Sequence, residues 1–360
     1  MRRDRLPLTF DECRARFRHA CTALAVPVHS EPIGARGPHG QELTIDWVRL
    51  GSAQASRVLV VMSGTHGVEG PLGSTLQCEL LSRAGTVAED TAVLVVHAVN
   101  PWGMAWWRRY NESNVDLNRN WARDRIEPPP NPGYELLHPI ICPDTDELPD
   151  ADDALPALLG LVEERGLGWV RDAITVGQYS HPDGFHYGGA RTEESTRILE
   201  RITSPAVEHA GWVFVVDLHT AHGPWATCTA LSDEPPGSDQ DRFLRTAFPD
   251  TTVEATRDNP EATTGTKVGQ LGAGIADLAP PGATTYHTSV EFGTVSDEEQ
   301  VLAAFAENWV WRRGRRDEPA HAAAIWANRC AYTPDDPEWE ARCLALGRGV
   351  LEGALDALRG

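Results

Sequence analysis

Two side chains in VMSGTHGVEG, residues 61–70, have the types and spacing to grip a cation. His66 and Glu69 stand three apart, so if Glu69 opens a helix both can face one ion. Zinc takes neutral imidazole and carboxylate, and a catalytic zinc uses three protein donors and leaves a fourth position to water. Gly64 and Gly67 let the backbone turn sharply beside them. An HxxE pair alone also describes an ordinary surface helix, so the reading needs a distant third donor. VVDLHT, 215–220, offers one. His219 ends an apolar strand, and the carboxyl ends of strands in open α/β sheets are where ligands bind. His222 is a rival, but the buried approach of the strand favours His219.

NESNVDLNRNW, 111–121, holds groups that could grip a carboxylate: Arg119 through its planar fork and Asn118 through its amide. Asp116 could accept a hydrogen bond from the free nitrogen of a metal-bound histidine and fix its tautomer. The same stretch also reads as a helix N-terminus with surface arginines. In TSVEFGT, 288–294, Glu291 lies within an apolar strand, where a carboxylate is costly without a partner. It is a candidate general base; the plainer reading is a salt bridge to one of 31 arginines. GQYSHPDGFHYGG, 177–189, sets Tyr179, His181, His186 and Tyr187 among glycines. It reads equally as a loop folded over a pocket, with Tyr179 and His186 touching substrate, or as a packed Ω-loop.

These groups need a frame. Residues 9–25 read as an amphipathic helix and 42–50 as a strand. A strand at 57–62, a helix from Glu69 to Arg83 and a strand at 91–100 make a βαβ unit, so the sheet is at least partly parallel. Further strands are expected at 173–179, 211–220, 226–231 and 284–292. Helices are expected at 154–165, 191–209, 238–247 and 297–312, with two more between 319 and 358. The stretches 124–150, 233–238 and 258–266 read as loop. The expectation is a single α/β domain, 1–360, with an insertion at 124–190 that could serve as a substrate lid and a helical tail at 297–358 packed on the domain.

Composition bounds the partners. The formal net charge is −20, the pI is near 5.0, and Lys267 is the sole lysine. That speaks against nucleic acid and anionic membrane, both of which need clustered cations. The start lacks an apolar signal region, and no run reaches the roughly 20 apolar residues of a membrane span. Seven cysteines without CxxC spacing suggest reduced thiols and a cytoplasmic location. The sequence leaves the oligomeric state open, homo-oligomers included.

In order, HxxE, NPWGMAWWRRY, VDLNRNW, DLH and VEFG resemble the zinc carboxypeptidase superfamily. The likeness covers roughly residues 42–123 and 211–294 and touches both the carboxypeptidase A-like and the aspartoacylase–succinylglutamate desuccinylase branches. It is also similar to a bacterial subfamily with no settled substrate. The resemblance implies a mixed, largely parallel sheet flanked by helices and one zinc ion per chain. It implies His66, Glu69 and His219 as zinc ligands and Asp116 as the group orienting His66. Asn118 and Arg119 would bind the substrate carboxylate. Arg109, with Arg108 as its substitute, would polarise the scissile carbonyl, and Glu291 would act as general base and then acid.

The expected reaction is hydrolysis of an amide next to a free carboxylate, in an N-acyl amino acid or at the C-terminus of a short or modified peptide. The alternative keeps the fold as a catalytically silent metal- or carboxylate-binding protein. A serine or cysteine hydrolase finds neither GxSxG nor a cysteine at a strand-to-helix elbow. Three features depart from the family pattern. TTGTKVGQLGAG lacks the tyrosine that carboxypeptidases place before the catalytic glutamate. Helices replace the deacylase C-terminal β extension, and 124–190 is longer than in the deacylases.

Overall fold

A computed structural model describes residues 5–84, 88–259, 262, 264, 265 and 267–360. Helix α1 (Phe10–Ala23) leads into an antiparallel ribbon of β1 (His29–Arg36) and β2 (Glu42–Gly51). The βαβ unit follows as β3 (Arg57–Ser63), α2 (Gly70–Ala84) and β4 (Thr91–His97), after which comes the short α3 (Pro101–Trp106). Helices α4 (Pro132–Ile141), α5 (Ala151–Arg165) and α6 (Leu167–Thr175) fill the next stretch, and α7 (Glu194–Val207) precedes β5 (Trp212–Ala221). Then come β6 (Cys228–Ser232), α8 (Asp239–Ala247), β7 (Thr252–Ala255), α9 (Leu271–Ala276) and β8 (Thr284–Gly293). The chain closes with α10 (Asp297–Arg313), α11 (Pro319–Tyr332) and α12 (Pro337–Arg359).

Among the described residues the strands form one sheet in the order β1-β2-β4-β3-β5-β8-β6-β7. Its centre, β4-β3-β5-β8, is parallel; β2 and β6 flank it antiparallel. Both faces of β4, β3 and β5 are covered, which is why these three strands carry unbroken apolar runs, whereas β8 is only partly buried. Leu59 and Val61 of β3 and Phe214 and Val216 of β5 pack on one side with Leu76 of α2 and Val350 of α12. Val58, Val60, Val213 and Val215 pack on the other with Leu199 of α7 and Ile275 of α9. Strand β4 lies to one side of β3 and β5 to the other, so the chain reverses direction across the sheet between β3 and β5. That switch opens a crevice at their carboxyl ends.

Two expectations need correcting. Residues 173–179 are not a strand: Ala173–Thr175 end α6, and only an isolated bridge, Gln178 to Tyr187, follows. The β-branched residues there mimic a strand, but α6 finds its partners in α4 and α5. Residues 124–150 are not all loop, because Asn131 caps α4 and Pro132 sits in its first turn, where the missing N–H costs nothing. Of the loop expected at 258–266, residues 260, 261, 263 and 266 lie outside the described residues. Among the described residues no helix is long and apolar enough to cross a membrane. All seven cysteines are unpaired, and burial pushes the Cys228 and Cys343 thiols up to about 12, which makes them poor nucleophiles.

Candidate metal centre and active site

After β3 the chain turns through Gly64, at φ +67, and enters a short 3-10 turn, Gly67–Glu69, with His66 at its start. A Cβ at Gly67 would run into the backbone of Gly103 and Met104, so glycine there allows the turn to seat on α3. The Val68 amide donates to Arg108 O (2.9 Å), which ties this turn to the segment after α3. Asn100 caps α3 through Gly103 N (2.8 Å), and its amide nitrogen donates to Arg109 O (3.3 Å). The Asn-Pro pair thus fixes the backbone that carries Arg109.

His66, Glu69 and His219 converge at the carboxyl ends of β3 and β5, with exposures of 3%, 1% and 2%. One donor atom from each lies within 4.8 Å of the others. His66 Nδ1 is 3.0 Å from Glu69 Oε1, and His219 Nδ1 is 3.0 Å from Glu69 Oε2. The two Nδ1 atoms are 3.2 Å apart. Each ring turns its other nitrogen to a carboxylate: His66 Nε2 to Asp116 Oδ1 at 3.0 Å, and His219 Nε2 to Asp217 Oδ2 at 2.7 Å. Thr65 Oγ1 donates to both Asp217 oxygens at 3.0 Å. Asp217 and His219 are two apart on β5, so they share a face of the strand. The sequence reading quoted DLH but gave Asp217 no role.

This is the pattern of two imidazoles that each set Nε2 beside a carboxylate and turn Nδ1, with the Glu69 carboxylate, toward one point. Three acceptors so close repel one another unless a cation lies between them. The pKa directions agree. Burial opposes charge on Glu69, but His66, His219 and Arg109 hold its carboxyl below the usual range. Burial also works against a charged His219, yet Asp217, Glu69 and Glu291 raise it well above an ordinary imidazole. The pocket calls for positive charge, and two nitrogens with one carboxylate are a donor set that suits zinc.

Asp116 is the hub of the neighbouring layer. Its Oδ1 meets His66 Nε2 and accepts from Asn118 N (3.0 Å); its Oδ2 meets His186 Nδ1 (3.0 Å) and Arg109 Nη2 (3.4 Å). Burial opposes its charge, but His66, Arg109, Arg119 and the His186 hydrogen bond hold its carboxyl well below the ordinary range. Ionised carboxylates only accept, and His66 has one at each nitrogen, Asp116 at Nε2 and Glu69 at Nδ1; a metal ion taking Nδ1 would leave the His66 proton at Nε2 for Asp116. Arg109 Nη2, 2.9 Å from the same nitrogen, then finds its acceptors in Asp116 and, through Nη1, in Glu69 Oε1 at 2.9 Å. His186 adopts φ 49, a conformation rare outside glycine, to reach Asp116. Burial, aided by Arg109 and Arg119, pushes it down to about 3, so it is neutral and donates.

Arg108 turns away from this cluster, onto Glu307 (2.6 Å) and Asn114 (3.1 Å). Arg119 is buried, and carbonyls engage its donors: Val176 O (3.1 Å), Asn118 O (2.8 Å) and Thr175 O (2.5 Å). Asn118 Oδ1 accepts from Leu271 N (2.9 Å), which joins α9 to the same turn. Tyr179 donates to Arg119 O (2.9 Å), and His181 pairs with Glu135 on α4 instead of facing the converging donors. His222 stands against Glu254 on β7, 3.7 Å away. Glu291 lies in register with His219 across the β5–β8 pair, so both project from the same face. Its Oε2 is buried and has no hydrogen-bond partner among the described residues. Helix α11 closes the back, where Thr333 Oγ1 donates to Val68 O (2.8 Å) and Tyr332 packs by Arg109; burial raises its hydroxyl to about 12. No pattern in the sequence pointed to Tyr332.

A cavity of about 740 Å³, the larger of the two principal ones among the described residues, is lined by Glu112, Asn114, Asp183 and Trp311 and by none of the converging groups. Converging buried donors with unmet demand locate chemistry better than size, so the centre is assigned to the strand ends.

Among solved structures, carboxypeptidase A from Helicoverpa armigera is similar, at 14% identity over 90% of this chain and 74% of that one, with a TM-score of 0.51. A metallo-carboxypeptidase from Pseudomonas aeruginosa matches at 14% over 97% and 68% (TM-score 0.45). The murein-tripeptide amidase MpaA from Escherichia coli O157 matches at 20% over 81% and 93% (TM-score 0.37). No curated protein sequence matches the chain. The fold is that of the zinc carboxypeptidases. The profile of one family, described as protein of unknown function (DUF2817), matches residues 7–345, and the chain belongs to that family.

Proposed function

We propose that the protein is a zinc-dependent amidohydrolase that cleaves an amide next to a free carboxylate, in an N-acyl amino acid or at the C-terminus of a short or modified peptide. The observation that carries this reading is the pair of Nδ1 atoms and the Glu69 carboxylate facing one point, with Glu291 and its unpartnered oxygen one strand away. The kinship of fold to a carboxypeptidase agrees with it.

Zinc held by His66, Glu69 and His219 would supply a Lewis acid and a water acidified to about pKa 7. The chain's own residues do the rest. Glu291 takes the proton from the attacking water and returns it to the leaving nitrogen. Arg109, kept cationic by Asp116 and Glu69 despite burial, polarises the scissile carbonyl and stabilises the charge that develops on its oxygen. With Nδ1 of each ring on the metal, Asp116 would take the Nε2 proton of His66, and Asp217, 2.7 Å from His219 Nε2, would play the same part for His219. The Asn118 amide nitrogen and the Arg119 charge orient the substrate carboxylate, and the 178–190 loop, through Tyr179 and His186, shapes the entrance.

The test is a mass-spectrometric screen of N-acyl amino acids and short peptides, with and without chelator. Cleavage that stops with chelator and returns with zinc is the expected result, and product masses separate deacylase from carboxypeptidase. Turnover indifferent to chelator overturns the reading.

A further inference from the structure

Lys267 stands apart in a chain whose other basic side chains are all arginine. It lies just before α9, in a segment fastened to the Asn118–Trp121 turn. Trp121 N donates to Gly269 O (2.9 Å), and Leu271 N to Asn118 Oδ1 (2.9 Å). Gly269 runs so close to the Arg119 carbonyl that a Cβ there would come within 2.6 Å of its oxygen, and its φ of +77 suits glycine. The segment therefore has one seat, and that seat sets Lys267 within electrostatic reach of Arg119, Glu291, Arg109 and Asp233.

The two cations near Asn118 differ in exposure. Arg119 is buried and ties one N–H of each of its three nitrogens to a carbonyl, two of them at the end of α6. Lys267, half-buried, has among the described residues one partner, Thr264 Oγ1 at 2.9 Å. An ammonium carries three donors, so two remain to be offered. Asp233, which also acts on Lys267 electrostatically, already holds His287 Nε2 at 3.2 Å. Burial and Arg119 pull the ammonium down to about 8, so it is still charged at neutral pH.

We propose that Lys267 is a substrate-binding residue whose ammonium takes the free carboxylate of the substrate, with the Asn118 amide and the Arg119 charge beside it orienting that carboxylate. This rests on the reading of the site as an amidohydrolase and names the group that selects the carboxylate. The substrate class narrows to amides whose anionic end projects past Glu291 toward α9.

A sole lysine makes the test direct. Reductive ¹³C-methylation keeps the charge and gives one side-chain signal besides that of the N-terminal amine. The zinc-loaded protein is titrated with N-acetylglycine, which has the amide and the carboxylate but no side chain to clash, and with neutral N-acetylglycinamide as control. Binding of each is followed separately by equilibrium dialysis. The Lys267 signal should shift saturably with N-acetylglycine and not with the control. A signal that ignores N-acetylglycine, whether or not the probe is bound, or that answers both probes alike, overturns the proposal. If the probe binds without moving the signal, the amidohydrolase reading survives and only Lys267 falls. On a cleaved substrate, Lys267→Met should raise KM about tenfold, the loss of one charge-assisted hydrogen bond, with kcat and zinc content kept, and Lys267→Arg should recover most of it. A lowered kcat at unchanged KM contradicts a binding role.

Discussion

His97 and His219 each end or nearly end a buried parallel strand at the same edge of the sheet, yet they live in different chemistry. His97 closes β4 with Nε2 against Ser74 Oγ (2.9 Å) and its ring stacked on Phe17, centroids 4.6 Å apart. Its register partner on β2, Asp46, is occupied by Arg18 (2.7 Å), Arg14 (3.3 Å) and Thr44 (2.7 Å). Burial pulls His97 down to about 4, and it stays neutral. His219 is as buried, but its register partner Glu291 leaves an oxygen unpartnered, and Glu69 and Asp217 crowd its two nitrogens. Burial and strand position are therefore common to both. What separates the packing histidine from the candidate ligand is whether the acids around it are already satisfied.

Replacing the acid opposite each histidine should break the comparison most sharply. Glu291→Gln should keep zinc and cut kcat about 10²–10⁴-fold, the usual worth of a general base. Asp46→Asn should leave kcat untouched and cost about 1–3 kcal/mol in chemical unfolding, because two arginines lose their buried partner. Equal kcat losses in the two variants would erase the distinction. One step down, Asp217→Asn should weaken zinc about 10–100-fold in a competition titration, as losing a ligand's orienting carboxylate does. Ser74→Ala, which strips the partner of His97, should leave zinc affinity where it was.

The smallest effect is in pH. His97 is held below its unfolded value of about 6.5, so the unfolded chain binds the extra proton between about pH 6.5 and 4. Its contribution to stability is complete above 6.5 and is lost as pH falls through that window. Between pH 7 and 5.5 the loss is about 1 kcal/mol, and His97→Leu should remove that part of the slope. A slope that survives the substitution would mean that His97 is not the group titrating.

The sheet centre and the convergence of His66, Glu69 and His219 were legible because they are coded locally. Apolar runs mark β3, β4 and β5, β-branched and aromatic residues mark β8, and His66, Glu69 and His219 stand at the ends of β3 and β5 or just past them. What was not legible depends on pairing or on distant packing. Strand β1 reads HSEPIGAR, mostly exposed at the sheet edge with Pro32 inside it, and β7 has four residues, so neither offers a periodic pattern. Ala173–Thr175 are helical because α4 and α5 give them a face to pack on, which no local propensity reveals. The occupation of Arg119 by carbonyls of α6 and the arrival of Tyr332 beside Arg109 are likewise contacts between segments far apart in sequence.

The central claim is that His66, Glu69 and His219 hold a metal ion and His97 does not. Its most direct test is the zinc content, by elemental mass spectrometry after dialysis, of the wild type, His219→Ala and His97→Ala. The account predicts one ion per chain in the wild type and in His97→Ala, and none in His219→Ala. Full zinc in His219→Ala, or a wild type that takes up none when zinc is supplied, would contradict it.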